Sequence, residues 1–497
     1  MEIYSAIEAL VKQALSIDLI DKEDKIYARN QIMSLLVLND FPEQVIVNSE
    51  LSIPDLLDIL VEFAVQKNII EDLPAEREIL SAKIMNVFLP RPSDVNKEFY
   101  KKYSVNPVEA TNYFYKLSKD SNYIQTRNIA KNINYVTGTP YGELDITINL
   151  SKPEKDPKQI AREREMKTPA SHYPKCLLCI ENEGYEGRIN HPARSNHRII
   201  PIQLANETWY FQYSPYVYYN EHCIILSAEH RDMKIDRETF ERLLEFVEKF
   251  PHYFLGSNAD LPIVGGSILS HDHYQGGNYE FAMARAKDDY TFSLSDYPSI
   301  QAAVIRWPMS VIRLRGKDRH ELVDAADMIL DKWKTYSDPS ANIIAETDGT
   351  RHNTITPIAR KRNEQYEMDL VLRNNRTSEE YPLGIFHPHE DVHHIKKENI
   401  GLIEVMGLAV LPARLASELV EIEKYLLGVS HEVKEYHLPW AKELQKKYGS
   451  SITADTVKEI LRKEVGLKFL RVLEDAGVFK RDEAGLKAFR RFIKQLK

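Results

Sequence analysis

The sequence predicts an α+β protein in which two mixed α/β units with antiparallel sheet lie between helical N- and C-terminal regions. Apolar residues recur at helical spacing over the first ~130 residues, then give way to short β-branched and aromatic runs, and helical spacing returns near the end. Gly, Pro and Asn punctuate the middle stretch, as turns between short strands require. A length of 497 residues exceeds one ordinary core. The expected division is a helical region 1–150, a charged linker 151–171, a first α/β unit 172–300, a second unit 301–412 and a helical region 413–497.

Each element has its own signal. Ile3, Ile7, Leu10, Val11, Ala14 and Leu15 mark one helix face, and Leu56, Leu57, Leu60, Val61 and Phe63 mark another. Pro107 suits the first turn of a helix carrying Ala110 to Leu117. Residues 151–171, SKPEKDPKQIAREREMKTPAS, are nearly half charged and hold three prolines, which reads as an exposed linker. HRIIPIQL, ETWYFQYS and YVYYNEHCIILS then read as strands, and FERLLEFVEKF (Phe240–Phe250) as a helix. After a helix near 319–336, TITPIAR, the polar turn KRNE and QYEMDLVLR predict a hairpin. The final LKAFRRFIKQLK reads as an amphipathic helix whose basic residues face water. The two central units have similar texture and each ends in a histidine cluster, which suggests an internal duplication.

Composition excludes several classes. Hydrophobic residues at 43% and charged residues at 28% suit a globular protein that needs no disulfide or metal staple to fold. A net charge of -9 argues against nucleic acid as a partner, while a small anionic substrate stays compatible. The 3 cysteines are too few for a disulfide framework and point to a reducing compartment. No run reaches the ~18 apolar residues of a membrane span, and the N-terminus lacks the basic and apolar regions of a signal peptide. A cytoplasmic protein without a membrane partner is the expectation.

The most informative run is GGSILSHDHYQGG, residues 265–277. In a strand, His271, His273 and Gln275 would share one face and point into one pocket. Gly276 and Gly277 follow, and glycine lets a backbone approach a ligand closely; Ser270 and both glycines are candidate substrate contacts. Neutral imidazole, with a free pKa of ~6.5, can attack phosphorus without a separate base. A hydrogen bond from Nδ1–H to a carbonyl would keep Nε2 free for that attack. Gln275 can donate its amide to a phosphate oxygen as charge develops. An HxH strand pair also fits two metal ligands or buried structural histidines, but the flanking glutamine and glycines favour phosphoryl chemistry.

Two further clusters leave alternatives open. Cys176-Leu-Leu-Cys179 is a metal half-site, a redox pair or chance, with His230 and His271 as candidate zinc partners. IFHPHEDVHH holds His387, His389, His393 and His394. With His352 and Glu280 it can form a second metal site, bind a substrate phosphate, or be a surface cluster.

His271-Asp272-His273-Tyr274-Gln275 resembles the H-P-H-x-Q run of the galactose-1-phosphate uridylyltransferase family, within the histidine-triad-like superfamily, with Asp272 where proline is usual. The segment 216–230 resembles that family's strand leading to a metal-binding histidine, which places the role on His230. CLLC matches its cysteine pair, and Asn258 resembles an asparagine near the nucleotide phosphates. The N-terminal extension, LSKPEKDPK and FHPHEDVHH resemble the longer, bacterial second class over most of the chain. The resemblance implies two histidine-triad-like units and a ping-pong exchange between UDP-glucose and galactose 1-phosphate, with His273 carrying the uridylyl group and Gln275 stabilising phosphate charge. It implies zinc on Cys176, Cys179, His230 and His271, a second metal on Glu280, His352, His387 and His389, no organic cofactor, and a homodimer. A dinucleoside polyphosphate hydrolase or adenylyltransferase of the same superfamily is the nearest alternative; a cupin-like metalloenzyme and a non-catalytic zinc scaffold are further ones.

Overall fold

The computed structural model describes residues 2–47, 50–151, 173–266 and 268–497. The linker expected over 151–171 lies, apart from Ser151, outside the described residues. Among the described residues, no helix is long and apolar enough to cross a membrane.

The N-terminal region is helical as the apolar spacing requires. The helix Ile53–Gln66 starts at Ser52, whose hydroxyl accepts from the Asp55 N–H while the Asp55 carboxylate receives the Ser52 N–H. This reciprocal cap satisfies two backbone donors that the first helical turn leaves unpaired. Its buried face is Leu56, Leu57, Leu60, Val61 and Ala64; Phe63 is only half-buried. The region 1–150 is not helical throughout. It ends in a hairpin of β1 (Ile133–Thr139) and β2 (Gly142–Ile148).

Among the described residues, ten strands form one open antiparallel sheet. Its first half holds β3 (Ile200–Leu204), β4 (Glu207–Tyr213), β5 (Cys223–Ser227), β6 (Phe254–Gly256) and β7 (His273–Gly277). Its second half holds β8 (Asp288–Phe292), β9 (Gln301–Ile305) and β10 (Val311–Gly316). A two-residue pair, β11 (Glu346–Thr347) and β12 (Thr350–Arg351), precedes the long predicted hairpin of β13 (Asn353–Arg362) and β14 (Gln365–Asn374), also in the second half. The order is β3-β4-β5-β7-β6-β13-β14-β10-β9-β8, so the two halves join where β6 meets β13. Among the described residues, β3 and β8 at its ends have one strand partner each, so the sheet does not close into a cupin barrel.

Strand alternation sorts the side chains by face. One face, with Trp209, Phe211, Tyr274, Leu314 and Met368, packs on the helices Arg237–Lys249 and Arg319–Thr335 and on the N-terminal helices. The other face packs through Phe254, Ile358, Val311 and Val371 on the C-terminal helices. The same core contains a small sheet in which β2 pairs in parallel with β15 (Leu408–Leu411). The expected strand over 216–227 shrinks to β5. Asn220–Glu221 cannot continue a strand, because Glu221 sits at φ +57°.

Candidate active site and metal centre

β7 lies in mid-sheet, between β5 and β6, and presents His273 and Gln275 on one face. Its opposite face explains why the strand is rigid. Tyr274 is fully buried, stacks on Trp209 with centroids 4.8 Å apart, and meets the Arg242 guanidinium at 3.4 Å. Burying such a side chain is worth roughly 1.5–3 kcal/mol, so the strand cannot roll without losing it.

His273 and Gln275 border a cavity of about 610 Å³. Its wall includes Ile224 of β5, Asn258, Gly265 and Gly266, and on the far side Glu398, Asn399 and residues 401–404. His273 is 6% exposed, and its Nδ1 lies 2.8 Å from the His271 carbonyl oxygen. A carbonyl only accepts, so Nδ1 carries the proton and Nε2 keeps its lone pair. Burial pushes the ring down to about 4, outweighing that carbonyl's opposite effect, so it is neutral at pH 7. Asn258 Oδ1 accepts from the Leu402 N–H at 2.8 Å, which leaves its amide nitrogen for other partners.

His271 departs from the expected arrangement. It precedes β7, does not border the cavity, and turns toward the CLLC loop. The ladder with β5 ends there because the Asp272 N–H donates to the Arg231 carbonyl at 2.7 Å rather than back to Ser227, although the Ser227 N–H still donates to the Asp272 carbonyl at 2.9 Å. A proline at 272 would lack the first of these bonds.

The result is a closed cluster of Cys176, Cys179, His230 and His271, with ligand atoms all within 4.8 Å of one another. Cys176 Sγ lies 3.2 Å from His271 Nδ1, Cys179 Sγ 3.1 Å from His230 Nδ1, and the two sulfurs 3.4 Å apart. A tetrahedral zinc site with these donors has edges of roughly 3.3–3.8 Å, so the set fits the ion. His271 Nε2 donates to the Ser227 carbonyl at 2.9 Å, fixing the tautomer that turns the Nδ1 lone pair to the sulfurs. Burial, then Cys176 beside it, pushes the Cys179 thiol up to about 12. Such a thiol gives up its proton here only to a bound cation. Leu178, between the two cysteines, reaches the cavity wall, so this cluster also shapes the pocket.

Other expected contacts fall elsewhere. Ser270 is exposed and does not border the cavity. A Cβ on Gly276 would come within 2.5 Å of the Phe254 carbonyl oxygen, and one on Gly277 within 2.8 Å of the Glu221 carbonyl oxygen. Both glycines are therefore demanded by backbone packing rather than by a ligand; the glycines at the cavity are Gly265, Gly266 and Gly401.

The four residues of the expected second metal site do not come together. Glu280 is exposed and pairs with Arg362 at 2.6 Å. His352 Nδ1 meets Asn375 Oδ1 at 2.9 Å, and His387 Nε2 meets Asn399 Oδ1 at 3.1 Å. His389 donates to the Ile385 carbonyl at 3.0 Å and stacks on Tyr381. Each has a separate partner, and among the described residues the Cys/His group is the sole cluster of metal-ligand type.

Sequence reasoning missed His222, which borders the cavity beside Gln275, and the wall from 398 to 404. His222 precedes Cys223, whose pairing with Gly276 brings it to Gln275, and that pairing has no local signature.

Comparison with known proteins agrees with this architecture. The family model for the N-terminal domain of galactose-1-phosphate uridyl transferase matches residues 18–232, and that for its C-terminal domain matches 241–442. A galactose-1-phosphate uridylyltransferase of Clostridium perfringens is 54% identical over 494 residues, 99% of this chain and 98% of its own. One from Fusobacterium nucleatum is 53% identical over 510 residues, covering 100% of this chain and 99% of its own. Among solved structures, yeast Ap4A phosphorylase superposes with a TM-score of 0.34 at 10% identity, over 65% of this chain and 92% of its own. That last overlap is too slight to bear on function. By class the protein is a nucleotidyltransferase. The chain belongs to the galactose-1-phosphate uridylyltransferase family.

Proposed function

We propose that the protein exchanges a uridylyl group between UDP-glucose and galactose 1-phosphate through a covalent intermediate on His273. The observation that carries this is the neutral His273 ring, held at Nδ1 by the His271 carbonyl and set on a cavity wall. The Nε2 lone pair attacks the α-phosphorus of UDP-glucose, the N–P bond forms, and the bond to the glucose 1-phosphate oxygen breaks. No proton has to leave the ring, because Nδ1–H stays in place. The ring becomes cationic, and the His271 carbonyl dipole stabilises that charge. A phosphate oxygen of galactose 1-phosphate then displaces the imidazole and gives UDP-galactose.

Gln275 donates its amide to a non-bridging phosphate oxygen in both halves, and Asn258 donates beside it. Zinc on Cys176, Cys179, His230 and His271 would supply a rigid tie between the CLLC loop and the chain entering β7, fixing where His273 starts. The family precedent of a homodimer and a cytoplasmic setting belong to the same proposal.

The test uses purified protein and UDP-glucose labelled at the α-phosphate. Label should stay on the protein in an acid-labile, alkali-stable bond and leave on adding galactose 1-phosphate. Protein that never retains label would refute the covalent route.

A further inference from the structure

The reaction above makes no use of His222, a ring 3% exposed that borders the cavity just before β5. Its Nε2 lies 3.1 Å from Gln275 Oε1. An amide oxygen cannot donate, so with the amide in this orientation the ring proton sits on Nε2. Burial pushes His222 down to about 4, outweighing the opposite effects of Gln275 and the Tyr216 carbonyl, so the ring holds one proton at neutral pH and these two acceptors compete for it. Tyr219 and Tyr218 confine it, with ring centroids at 4.5 and 5.6 Å, and its backbone N–H donates to the Tyr219 carbonyl at 3.2 Å.

Strand register fixes the backbone of Gln275 between Ile224 and Gly256, but it does not fix the amide. A primary amide has nearly the same shape when turned by half a turn, and opposite polarity. In one orientation NH2 meets the phosphate oxygens; in the other, Oε1 meets them and repels. We propose that His222 is a positioning residue that sets this polarity, holding Oε1 so that the Gln275 NH2 faces the transferring phosphoryl group. The proposal rests on the role given to Gln275 above. It asks nothing of His222 toward substrate itself.

The test is a double-mutant cycle on the full-length protein, following label transfer and steady-state rates. Gln275→Ala should slow kcat by roughly 10²–10³-fold, as loss of a transition-state donor does. His222→Phe keeps an aromatic ring but removes the donor, and should slow kcat roughly 10- to 100-fold with KM for UDP-glucose little changed. The double variant should be no slower than Gln275→Ala alone, since residues acting as a unit are not additive. His222→Gln, which restores an N–H, should recover most of the rate. Wild-type kcat in His222→Phe, or losses that multiply in the double variant, would overturn the proposal. The ring ¹⁵N shifts of wild-type protein test it without any variant: a neutral His222 protonated at Nδ1 sinks it. If Gln275→Ala itself keeps full activity, the role assigned to Gln275 fails instead.

Discussion

In the first half of the sheet, the face carrying Ile224, Gln275 and His273 borders a cavity, whereas in the second half the same face carries Arg313, Arg360, Asp369 and Glu367 closed upon one another. The two lie in a single cross-strand row: Ile224, Gln275, Gly256, Ile358, Asp369 and Arg313 are successive partners across β5, β7, β6, β13, β14 and β10. Arg313 meets Asp369 at 2.6 Å, and Arg360 meets Glu367 at 2.5 Å and Asp369 at 2.8 Å. Arg313 also donates to the carbonyls of Met283 and Ala286, tying down the chain that leaves the first half. One half keeps neutral groups with lone pairs open to a ligand; the other keeps charged groups whose partners are all internal. Closed satisfaction makes a scaffold, and open valence makes a site.

Four outcomes break or sharpen that contrast. The largest is His273→Ala, which should lower label transfer by roughly 10⁴-fold or more while leaving thermal unfolding near wild type. Asp369→Asn should do the reverse. It leaves Arg313 and Arg360 buried without a full countercharge and should cost about 3–5 kcal/mol in denaturant unfolding, with label transfer intact where the protein stays folded. Acid should expose the same residue. Burial raises the Asp369 carboxyl, but Arg313 and Arg360 outweigh it and hold the group at about 2, below the ordinary 3.8. Because the folded value is depressed, this stabilisation is complete above about pH 4 and fades as pH falls toward 2. Asp369→Asn should therefore flatten the acid limb of a stability profile in that window.

The third outcome separates the two histidine clusters. His271→Ala should drop bound metal from about one equivalent per chain to near none by elemental analysis, while His352→Ala and His389→Ala leave it unchanged. Metal lost equally from all three would mean a second site the geometry does not support. The smallest is Gly276→Ala, whose Cβ would meet the Phe254 oxygen at 2.5 Å and Leu255 Cδ1 at 2.9 Å. It should cost about 1–3 kcal/mol of stability through overpacking. A change in substrate KM with unchanged stability would instead return Gly276 to ligand contact.

Much of the site was legible because its residues cluster locally. CLLC and the β13–β14 hairpin are short-range patterns that the structure keeps together, while HDHYQ divides between the cysteine cluster and the cavity. The alternation argument failed at His271 for a definite reason. It assumed that the strand ran through residue 271, but the Asp272 N–H turns to the Arg231 carbonyl and the chain bends before β7 begins at His273. The same bend sends His271 to the cysteines and leaves His273 at the cavity. The second histidine cluster misled for a related reason: IFHPHEDVHH is dense in sequence, yet His387 turns to Asn399 and the Pro388 carbonyl, His389 to the Ile385 carbonyl and His393 to the Pro388 carbonyl rather than to one centre.

The sequence alone determined the helical and strand periods, the α+β class, the histidine- and glycine-bearing run at 265–277 and the four ligand types of the cluster, because these depend on spacing over a few residues. Only the tertiary structure decided that both halves share one sheet, that His222 stands against Gln275, and that residues 398–404 close the cavity. Those depend on contacts between distant segments, where register and packing select one pairing among many that local pattern permits.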